Sequence, residues 1–276
     1  MIIYTCNTNN YIEDLQAPAW VEVITDVEDL GDPVRSSRKD KILCPFYDED
    51  SVYVDASKVH LLNDQFLELS KEILSKEHFF VMQHPHEYTY LEECAEYVYR
   101  GWVDGDTLCR YTAEVKNVGY DFGKHFSPLC TILWRKSGMQ EFNQTWWDWY
   151  LRGGVRDQLS FSTALQMTRT KFETLPSVNV ISRFSDASPD GIWWQNRQGD
   201  YKYFESKNPI EVVKELSRIS GLSYFRYRTL EYPVEYSDRV DISFGKVSGY
   251  IPFGRTPEGK NYDHRYVNSS AKRWKN

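Results

Sequence analysis

The first residues that could do chemistry are a basic segment, RSSRKDKIL at 35–43, and the carboxylate within YVDASK at 53–58. A strand that ends at Asp55 puts this carboxylate at the sheet edge where open α/β proteins bind ligands. Oxygen ligands suit Mg²⁺ or Mn²⁺, and such a cation could neutralise a diphosphate. Arg38, Lys39 and Lys41 could hold phosphate or a uracil-like edge. The alternative is a solvated basic turn and an aspartate that caps the next element.

A second group is QHPHEYTYLEE at 83–93, in which two histidines flank a proline after a short apolar strand. His84 and His86 could ligate a metal ion or contact phosphate. Glu92 and Glu93 follow in a helix, and since successive helical residues point about 100° apart, only one of them can face a crevice. The alternative is a polar loop followed by acidic residues that favour a helix N-terminus.

A third group, RDQLSF at 156–161, begins a helix after a pair of glycines. Arg156, Asp157 and Gln158 could hydrogen-bond a sugar ring together with the backbone N–H groups that a helix start leaves free. Asp157 could be a catalytic carboxylate or an orienting acceptor. The alternative is an aspartate that caps the helix, with Gln158 in water.

An aromatic cluster precedes this helix and includes Trp146, Trp147, Trp149 and Tyr150. Such rings could stack on a sugar or a base, and Trp147 is the candidate for contact with an acceptor. Because neighbouring helical positions point in different directions, we expect at least one of the three tryptophans to be exposed or in a cleft. The alternative is core packing and a domain contact.

In this order the segments resemble a family of nucleotide-sugar glycosyltransferases found in bacterial polysaccharide clusters and in plant Golgi proteins linked to pectin and mucilage. The matching segments are IIYTCN (2–7), SRKDKIL (37–43), YVDAS (53–57), QHPHEYTYLEECAE (83–96) and RDQLSF (156–161). The resemblance covers about residues 1–170 and implies a GT-A type fold. Such a fold is one Rossmann-like α/β domain that binds a nucleotide-diphospho-sugar, here a UDP-sugar, through a divalent metal ion.

The resemblance also implies roles for individual residues. Its donor-binding set is Arg38, Lys41, Asp55, Ser57, His84, Arg156 and Gln158. Glycosyl transfer needs a carboxylate that deprotonates the acceptor hydroxyl or a protein group that braces the oxocarbenium face. Asp157 and Glu93 are the candidates for this catalytic role.

The implied metal ion is Mn²⁺ or Mg²⁺, with Asp55 as its ligand. The chain departs here from a full D-x-D motif, because Ser57 occupies the second carboxylate position. The metal would then be held by Asp55 with the phosphates of the donor and water, or by a later residue such as His264.

The composition favours a folded globular protein that works in the cytoplasm. Over 276 residues, 41% are hydrophobic, 16% aromatic and 26% charged, which excludes disordered, collagen-like and coiled-coil chains. No stretch approaches the roughly 20 apolar residues of a membrane span, and no basic region of a secretory signal precedes the apolar start. The five cysteines form no CxxC pair, so neither a zinc ribbon nor a disulfide scaffold is expected. The net charge of −7 disfavours non-specific binding to nucleic acid by the whole molecule.

Apolar patterning supplies the elements that must position these residues. Strands are predicted at 1–6, 20–26, 51–55, 78–83 and 126–135, and helices at 63–75, 88–102, 141–151, 157–167 and 209–219. Their alternation predicts an α/β fold with a mostly parallel central sheet. We expect one catalytic domain over 1–220 and a C-terminal extension over 221–276.

The segment from 224 to 276 differs in chemistry from the rest of the chain. It carries 10 Lys and Arg against 6 Asp and Glu, with 11 aromatic residues. Bases stack on aromatic rings and phosphates pair with basic side chains, so this segment could bind DNA through Arg226 and Arg228. The acceptor is then either a glycan or small molecule, or a hydroxymethylated pyrimidine in phage DNA. The alternatives are a solvated terminus and, for the whole chain, a non-catalytic module that binds nucleotide sugars.

Overall fold

The computed structural model describes residues 1–8, 12–26, 28, 30–31, 33–76, 78–84, 88–99, 102–153, 156–176, 209–222, 224–227, 234–237 and 243–244. The chain divides into two compact units. The first unit comprises Met1–Glu87 and Ser127–Pro189, and the second comprises Tyr88–Phe126 and Asp190–Asn276. The predicted boundary at residue 220 falls inside the second unit.

The structure contains each strand and helix that the sequence predicts, together with helices at Pro33–Leu43 and Gly105–Asn117 and a strand at Phe172–Pro176 that the sequence did not predict. The strands are β1 (Ile2–Cys6), β2 (Val21–Ile24), β3 (Ser51–Val54), β4 (Phe79–Gln83), β5 (Pro128–Arg135), β6 (Phe172–Pro176), β7 (Tyr224–Tyr227), β8 (Val234–Ser237) and β9 (Ser243–Phe244). The helices are α1 (Pro33–Leu43), α2 (Asp64–Leu74), α3 (Tyr90–Tyr99), α4 (Gly105–Asn117), α5 (Gln140–Gly153), α6 (Asp157–Thr168) and α7 (Pro209–Ser220). Short 3₁₀ helices lie at Ala56–Leu61 and Phe122–Lys124.

The first unit contains a six-stranded sheet in the order β2-β1-β3-β5-β4-β6. Strand β1 pairs in parallel with β2 and β3, and β4 pairs in parallel with β6. The sheet is mixed, because β5 is antiparallel to both of its neighbours, β3 and β4. The α/β expectation is confirmed. Strands β1, β3 and β4 point the same way, so their carboxyl ends share one edge of the sheet.

Helices cover both faces of this sheet, as the alternation of side chains along β5 demonstrates. The indole of Trp134 stacks on Phe66 of α2, and its Nε1 donates to Ser70 of the same helix at 3.0 Å. The next residue, Arg135, points to the other face and lies over the ring of Trp146 in α5. The core is therefore a sheet between α2 on one face and the packed helices α1, α5 and α6 on the other.

Helix α1 occupies the basic segment that the sequence offered as a possible solvated turn. Its buried side chains include Ser36, Lys41 and Ile42, so its inner face is partly polar. A helix of this kind has no continuous apolar stripe, which is the feature that sequence patterning detects. The basic side chains of this segment are thus carried on a regular element that packs against the sheet.

The expectation that one tryptophan of α5 would be exposed is wrong. Trp146, Trp147 and Trp149 are 0%, 7% and 8% exposed. Neighbouring side chains cover the rings that do not face the sheet: Trp147 stacks on Tyr150 at a centroid distance of 5.4 Å, and the guanidinium of Arg152 lies 4.9 Å from the Trp149 ring. Core packing, the alternative interpretation, describes these rings.

The second unit is built on α3, α4 and α7. Asp104 caps α4 by accepting a hydrogen bond from the backbone N–H of Thr107 at 2.8 Å. Gly105 allows close approach of α4 and α7, because a Cβ atom there would lie 2.4 Å from Cγ2 of Val212. Strands β7, β8 and β9 form an antiparallel sheet. Among the described residues, none of the helices has the length and apolar character that a membrane crossing requires.

Candidate functional site

Asp55 follows the last residue of β3 and lies at the carboxyl edge of the sheet. Its Oδ1 accepts hydrogen bonds from the Tyr53 hydroxyl at 2.7 Å and from Lys41 Nζ at 3.4 Å. Its backbone N–H donates to the carbonyl of Thr131 in β5 at 2.8 Å. The side chain is 20% exposed, so Asp55 is both anchored to the sheet and open to solvent.

Asp157 is the first residue of α6, and its carboxylate meets the same lysine. Lys41 Nζ lies 2.8 Å from Oδ2 of Asp157, and Arg38 Nε lies 3.5 Å from that oxygen. Arg38, Lys41, Asp55 and Asp157, four of the residues that the sequence singled out, therefore form one charged group, which we call the Lys41 cluster. Asp157 is more than a hundred positions from the other three in the sequence, and the sheet and helices bring it to them.

The charges around Asp157 hold its carboxylate ionised. Burial alone would raise the pKa of Asp157, but Lys41 and Arg38, with a smaller contribution from Arg156, hold it well below its ordinary range. Burial would lower the pKa of Arg38, but Asp157 and Asp55 raise it well above its usual value. Opposite charges at these distances favour the charged form of each group.

Two neutral groups border the Lys41 cluster on the sheet. Burial, together with the charge of Asp55, raises the pKa of the Tyr53 phenol well above its usual value, so the phenol stays protonated and donates to Asp55. Burial, with the charges of Asp40 and Asp55, raises the pKa of Cys6 to about 12. Cys6 ends β1 beside β3 and is therefore a neutral thiol, which removes it as a nucleophile.

Arg135 and Trp146 fix the backbone on which the charged side chains are mounted. The guanidinium of Arg135 donates to the carbonyl of Lys41 at 2.7 Å and to the hydroxyl of Tyr4 at 2.8 Å. The indole of Trp146 donates to the carbonyl of Asp157 at 3.0 Å. Since Arg135 also lies over the Trp146 ring, these two side chains link the end of α1 to the start of α6.

The remaining residues of the RDQ segment lie at the entrance to α6. Arg156 is the residue before the helix, and its side chain makes no capping hydrogen bond. Asp157 lies inside the first turn and pairs with Lys41, so it is not the simple helix cap that the sequence allowed as an alternative. Arg156 and Gln158 are half-buried.

Two other residues that the sequence assigns to binding of the sugar donor follow the carboxyl ends of strands. Ser57 is exposed in the 3₁₀ helix that follows Asp55. His84 follows β4 and is half-buried, and its backbone N–H donates to the carbonyl of Ser127 at 3.3 Å. His86 lies outside the described residues.

Glu93, the second candidate catalytic carboxylate, lies in α3 of the second unit and is 2% exposed. Its Oε2 is 2.8 Å from Nε2 of His125, whose Nδ1 is 2.7 Å from the hydroxyl of Tyr120. The hydroxyl of Tyr97 donates to the other oxygen of Glu93. Its neighbour Glu92 is also buried and accepts from the backbone N–H of Thr89, as in a capping box. Both carboxylates therefore bond within the second unit.

Of the predicted acceptor residues, Trp147 is the one whose side chain lies in the part of the chain that the structure describes. Trp147 is buried and already stacked on Tyr150, which leaves little of its ring for a ligand. Arg226 belongs to β7, of which only the backbone is described, and Arg228 and His264 lie outside the described residues.

The protein groups at this edge do not fit a divalent metal held by the chain. Among the described residues, no three His, Cys, Asp or Glu side chains converge as metal ligands. One oxygen of Asp55 already accepts from Tyr53 and Lys41, and the second carboxylate of the Lys41 cluster faces Lys41 and Arg38. The requirement for Mn²⁺ or Mg²⁺ stays a prediction from the resemblance, with Asp55 as its single protein ligand.

A cavity of about 270 Å³ lies elsewhere in the first unit, at the amino end of β4. Its lining residues are His78, Phe79, Lys136, Met139, Thr170 and Lys171. This is the sheet edge opposite to Asp55, and none of the residues that the sequence singled out lines it.

Sequence reasoning missed the supporting residues Tyr53 and Arg135. Arg135 ends the apolar strand SPLCTILWR. An arginine is rarely fully buried without partners, so this position is a signal from which its buried contacts could have been inferred. Comparison of the chain with protein-family models, with curated proteins and with solved structures found no match.

Proposed function

We propose that the chain is a glycosyltransferase that moves a sugar from a nucleotide-diphospho-sugar, a UDP-sugar in the first instance, to an acceptor hydroxyl. The observation that carries the proposal is the Lys41 cluster at the carboxyl ends of the strands. Open α/β sheets bind nucleotides at this edge. The fold in which we propose this chemistry is a Rossmann-like domain of the GT-A type.

Basic residues of the Lys41 cluster match the leaving group of such a reaction. Glycosyl transfer builds negative charge on the departing diphosphate, and preorganised cations at that point lower the barrier. Arg38 is a fork-shaped donor suited to phosphate oxygens, and Arg156 stands next to Asp157 on the α6 side. Side chains of α1 and of the segment that begins α6 therefore supply positive charge that can stabilise the departing diphosphate.

Orphaned polar atoms in the same place support a bound ligand. Among the described residues, Thr131 Oγ1 is buried without a hydrogen-bond partner, and Arg38 Nε makes an ion pair with Asp157 at 3.5 Å but no hydrogen bond. Thr131 lies across from Asp55 in the pairing of β3 with β5. Buried polar atoms normally have a hydrogen-bond partner, and the many oxygen atoms of a nucleotide-diphospho-sugar could supply one.

The low pKa of Asp157 favours one of its two possible roles, that of an orienting acceptor. A carboxylate whose pKa lies far below neutrality binds protons weakly and is an inefficient general base. We therefore assign Asp157 an electrostatic role, in which it stays ionised beside the sugar and orients Lys41. Asp55 is the more exposed carboxylate and is the one able to reach an acceptor or donor hydroxyl.

The acceptor is a glycan or small-molecule hydroxyl, or a hydroxymethylated base in phage DNA. The basic and aromatic segment after residue 223 is the reason to keep DNA as an acceptor. Filter binding of the full chain to duplex DNA at two salt concentrations separates these options, since phosphate contacts make affinity fall with salt. None of the five cysteines, all of which are among the described residues, forms a disulfide bond, which fits a reducing compartment such as the cytoplasm.

Mass spectrometry of donor turnover tests the activity. The purified chain is incubated with a panel of nucleotide sugars, with and without acceptors and with Mn²⁺ present. We expect release of UDP from one UDP-sugar, and loss of that release in Asp157→Asn. Asp148→Asn is the matched control, because Asp148 is exposed on α5 and pairs only with Gln144 among the bonds of the described residues.

Binding without turnover would instead identify a non-catalytic module for nucleotide sugars. In that case UDP raises the unfolding temperature of the chain, but no member of the panel is consumed. A chain that neither binds nor consumes any nucleotide sugar contradicts both forms of the proposal.

A further inference from the structure

The Lys41 ammonium occupies the position between two carboxylates that a divalent cation would need. Nζ of Lys41 is 2.8 Å from Oδ2 of Asp157 and 3.4 Å from Oδ1 of Asp55. Both oxygens thus lie within ion-pair distance of one nitrogen. A metal ion that used both carboxylates as ligands would have to displace this ammonium.

Lys41 is not free to leave. Its side chain is 2% exposed and packs against the Tyr53 ring, with Nζ 5.2 Å from the ring centroid. Its backbone carbonyl accepts from Arg135. Moving the ammonium away would leave the carboxylate of Asp157, itself 5% exposed, with its closest positive charge removed, and burying an unpaired charge is costly. Adding a divalent ion next to a retained ammonium would place like charges close together in a poorly solvated region.

The surrounding charges are already in excess on the positive side. Arg38 and Lys41 lie three residues apart on α1, which puts them on neighbouring positions of one helix surface. Arg156 adds a further guanidinium beside Asp157. Arg38, Lys41 and Arg156 therefore accompany the carboxylates of Asp55 and Asp157, and the excess of positive charge favours an anionic ligand such as a diphosphate.

We infer that Lys41 is the resident cation of this site, so that the chain binds a nucleotide diphosphate without a divalent metal ion. The inference deepens the proposed function, on which the identity of the ligand rests. A corollary concerns the cation alone: removal of the Lys41 charge leaves two carboxylates around a position that Mn²⁺ can take.

Electron paramagnetic resonance of Mn²⁺ mixed with the full chain tests the corollary, because bound Mn²⁺ loses the sharp signal of the free ion. We expect no specific binding by the wild type. Lys41→Met should bind one Mn²⁺ per chain, at least about tenfold more tightly than the wild type. The further change Asp55→Asn in the Lys41→Met background should abolish this gain.

Lys39→Met is the matched control. Lys39 is on the same helix and pairs with Glu28 at the surface, so its loss changes the net charge equally without touching the Lys41 cluster. We expect this variant to behave as the wild type does. If Lys41→Met lacks the wild-type circular dichroism spectrum, Lys41→Gln is tested in the same way. Specific Mn²⁺ binding by the wild type that Asp55→Asn removes would overturn the inference, as would a folded Lys41 variant that gains no Mn²⁺ site.

Calorimetric titration with UDP separates this inference from the proposed function. We expect the wild type to bind UDP equally in EDTA and in Mn²⁺, and Lys41→Met to bind UDP only with Mn²⁺. Binding by the wild type that needs Mn²⁺ contradicts the inference and leaves the proposed function intact. Absence of UDP binding under both conditions contradicts the proposed function, and the Mn²⁺ measurements still decide the role of Lys41.

Discussion

The ammonium of Lys41 lies 2.8 Å from the carboxylate of Asp157, and both side chains are almost completely buried. The pair joins the last turn of α1 to the first turn of α6. A buried ion pair of this kind contributes little over a well-packed apolar pair, but removing one member leaves the other as an uncompensated charge. The contact is therefore sensitive to single substitutions and can be examined through stability as well as through activity.

Asp157→Asn should lower the free energy of unfolding by about 3 kcal/mol at pH 7, because Lys41 and Arg38 lose their closest negative charge. The size of the side chain is unchanged, so no cavity contributes. Urea denaturation followed by tryptophan fluorescence measures the change. Asp148→Asn on the exposed side of α5 should change stability by less than about 0.5 kcal/mol. An equal loss of unfolding free energy in the two variants would show that the buried pair contributes no more to stability than the exposed Asp148 does.

The same pair predicts a pH dependence. The pKa of Asp157 is lower in the folded chain than its ordinary value of 3.8, so its contribution is complete above that value and is lost as the pH falls through the folded pKa. We therefore expect the stability difference between wild type and Asp157→Asn to be constant from pH 7 to about pH 5 and to shrink in stronger acid. Denaturation series at several pH values measure it. A difference that grows on acidification would contradict the assigned sign.

Arg135→Lys should destabilise the fold and weaken ligand binding together. A lysine has a single nitrogen in place of the fork, so it cannot reproduce the geometry in which two separate nitrogens of Arg135 donate to the Lys41 carbonyl and the Tyr4 hydroxyl. We expect a loss of about 2 kcal/mol, since hydrogen bonds from a charged donor are lost in the interior. Denaturation and UDP titration are measured in parallel. Arg110→Lys is the control, because Arg110 is an exposed residue of α4. Normal UDP affinity in a folded but destabilised Arg135→Lys would show that the residue supports the fold alone.

Much of the framework is predictable because its signals are local. The helix over Asp64–Leu74 has an apolar face and an N-cap, Asn63, whose side chain accepts from the backbone N–H of Phe66 at 2.9 Å, and asparagine is a preferred residue at this position. The rule that strand ends form the ligand edge put Asp55 at this edge, and the resemblance gave Asp157 a role in the same reaction; both carboxylates contact Lys41.

The contacts that could not be predicted depend on strand register and on side chains that cover the site in the tertiary structure. Tyr53 reaches Asp55 because both side chains are on one face of a strand, two residues apart, but only the burial of that face makes the bond significant. Trp149 is covered by Arg152, a contact that needs the actual rotamers. Glu93 has a sequence context suited to a crevice, yet its buried partner His125 lies 32 positions away in a segment with no strong pattern.

Arg38→Met should abolish the stabilisation that UDP confers, and Lys39→Met should preserve it. Arg38 supplies a guanidinium to the Lys41 cluster, whereas the adjacent Lys39 pairs with Glu28 at the surface. A ligand at a hundred times its dissociation constant adds about 2.7 kcal/mol to stability, which a thermal melt resolves easily. The two variants remove the same charge from the same helix. Equal shifts in both would mean that UDP does not contact this part of α1.

Glu93→Gln tests whether the second candidate carboxylate acts in catalysis or in folding. Its oxygens accept from Tyr97 and meet His125, all inside the second unit, so we expect a stability loss of about 1–3 kcal/mol from a broken buried network. We expect the fraction that remains folded to turn over donor at nearly the wild-type rate. Denaturation gives the first quantity and UDP release per folded chain gives the second. A variant of wild-type stability with no turnover would instead make Glu93 a catalytic group, because a residue that only holds the fold together cannot remove activity without weakening the fold.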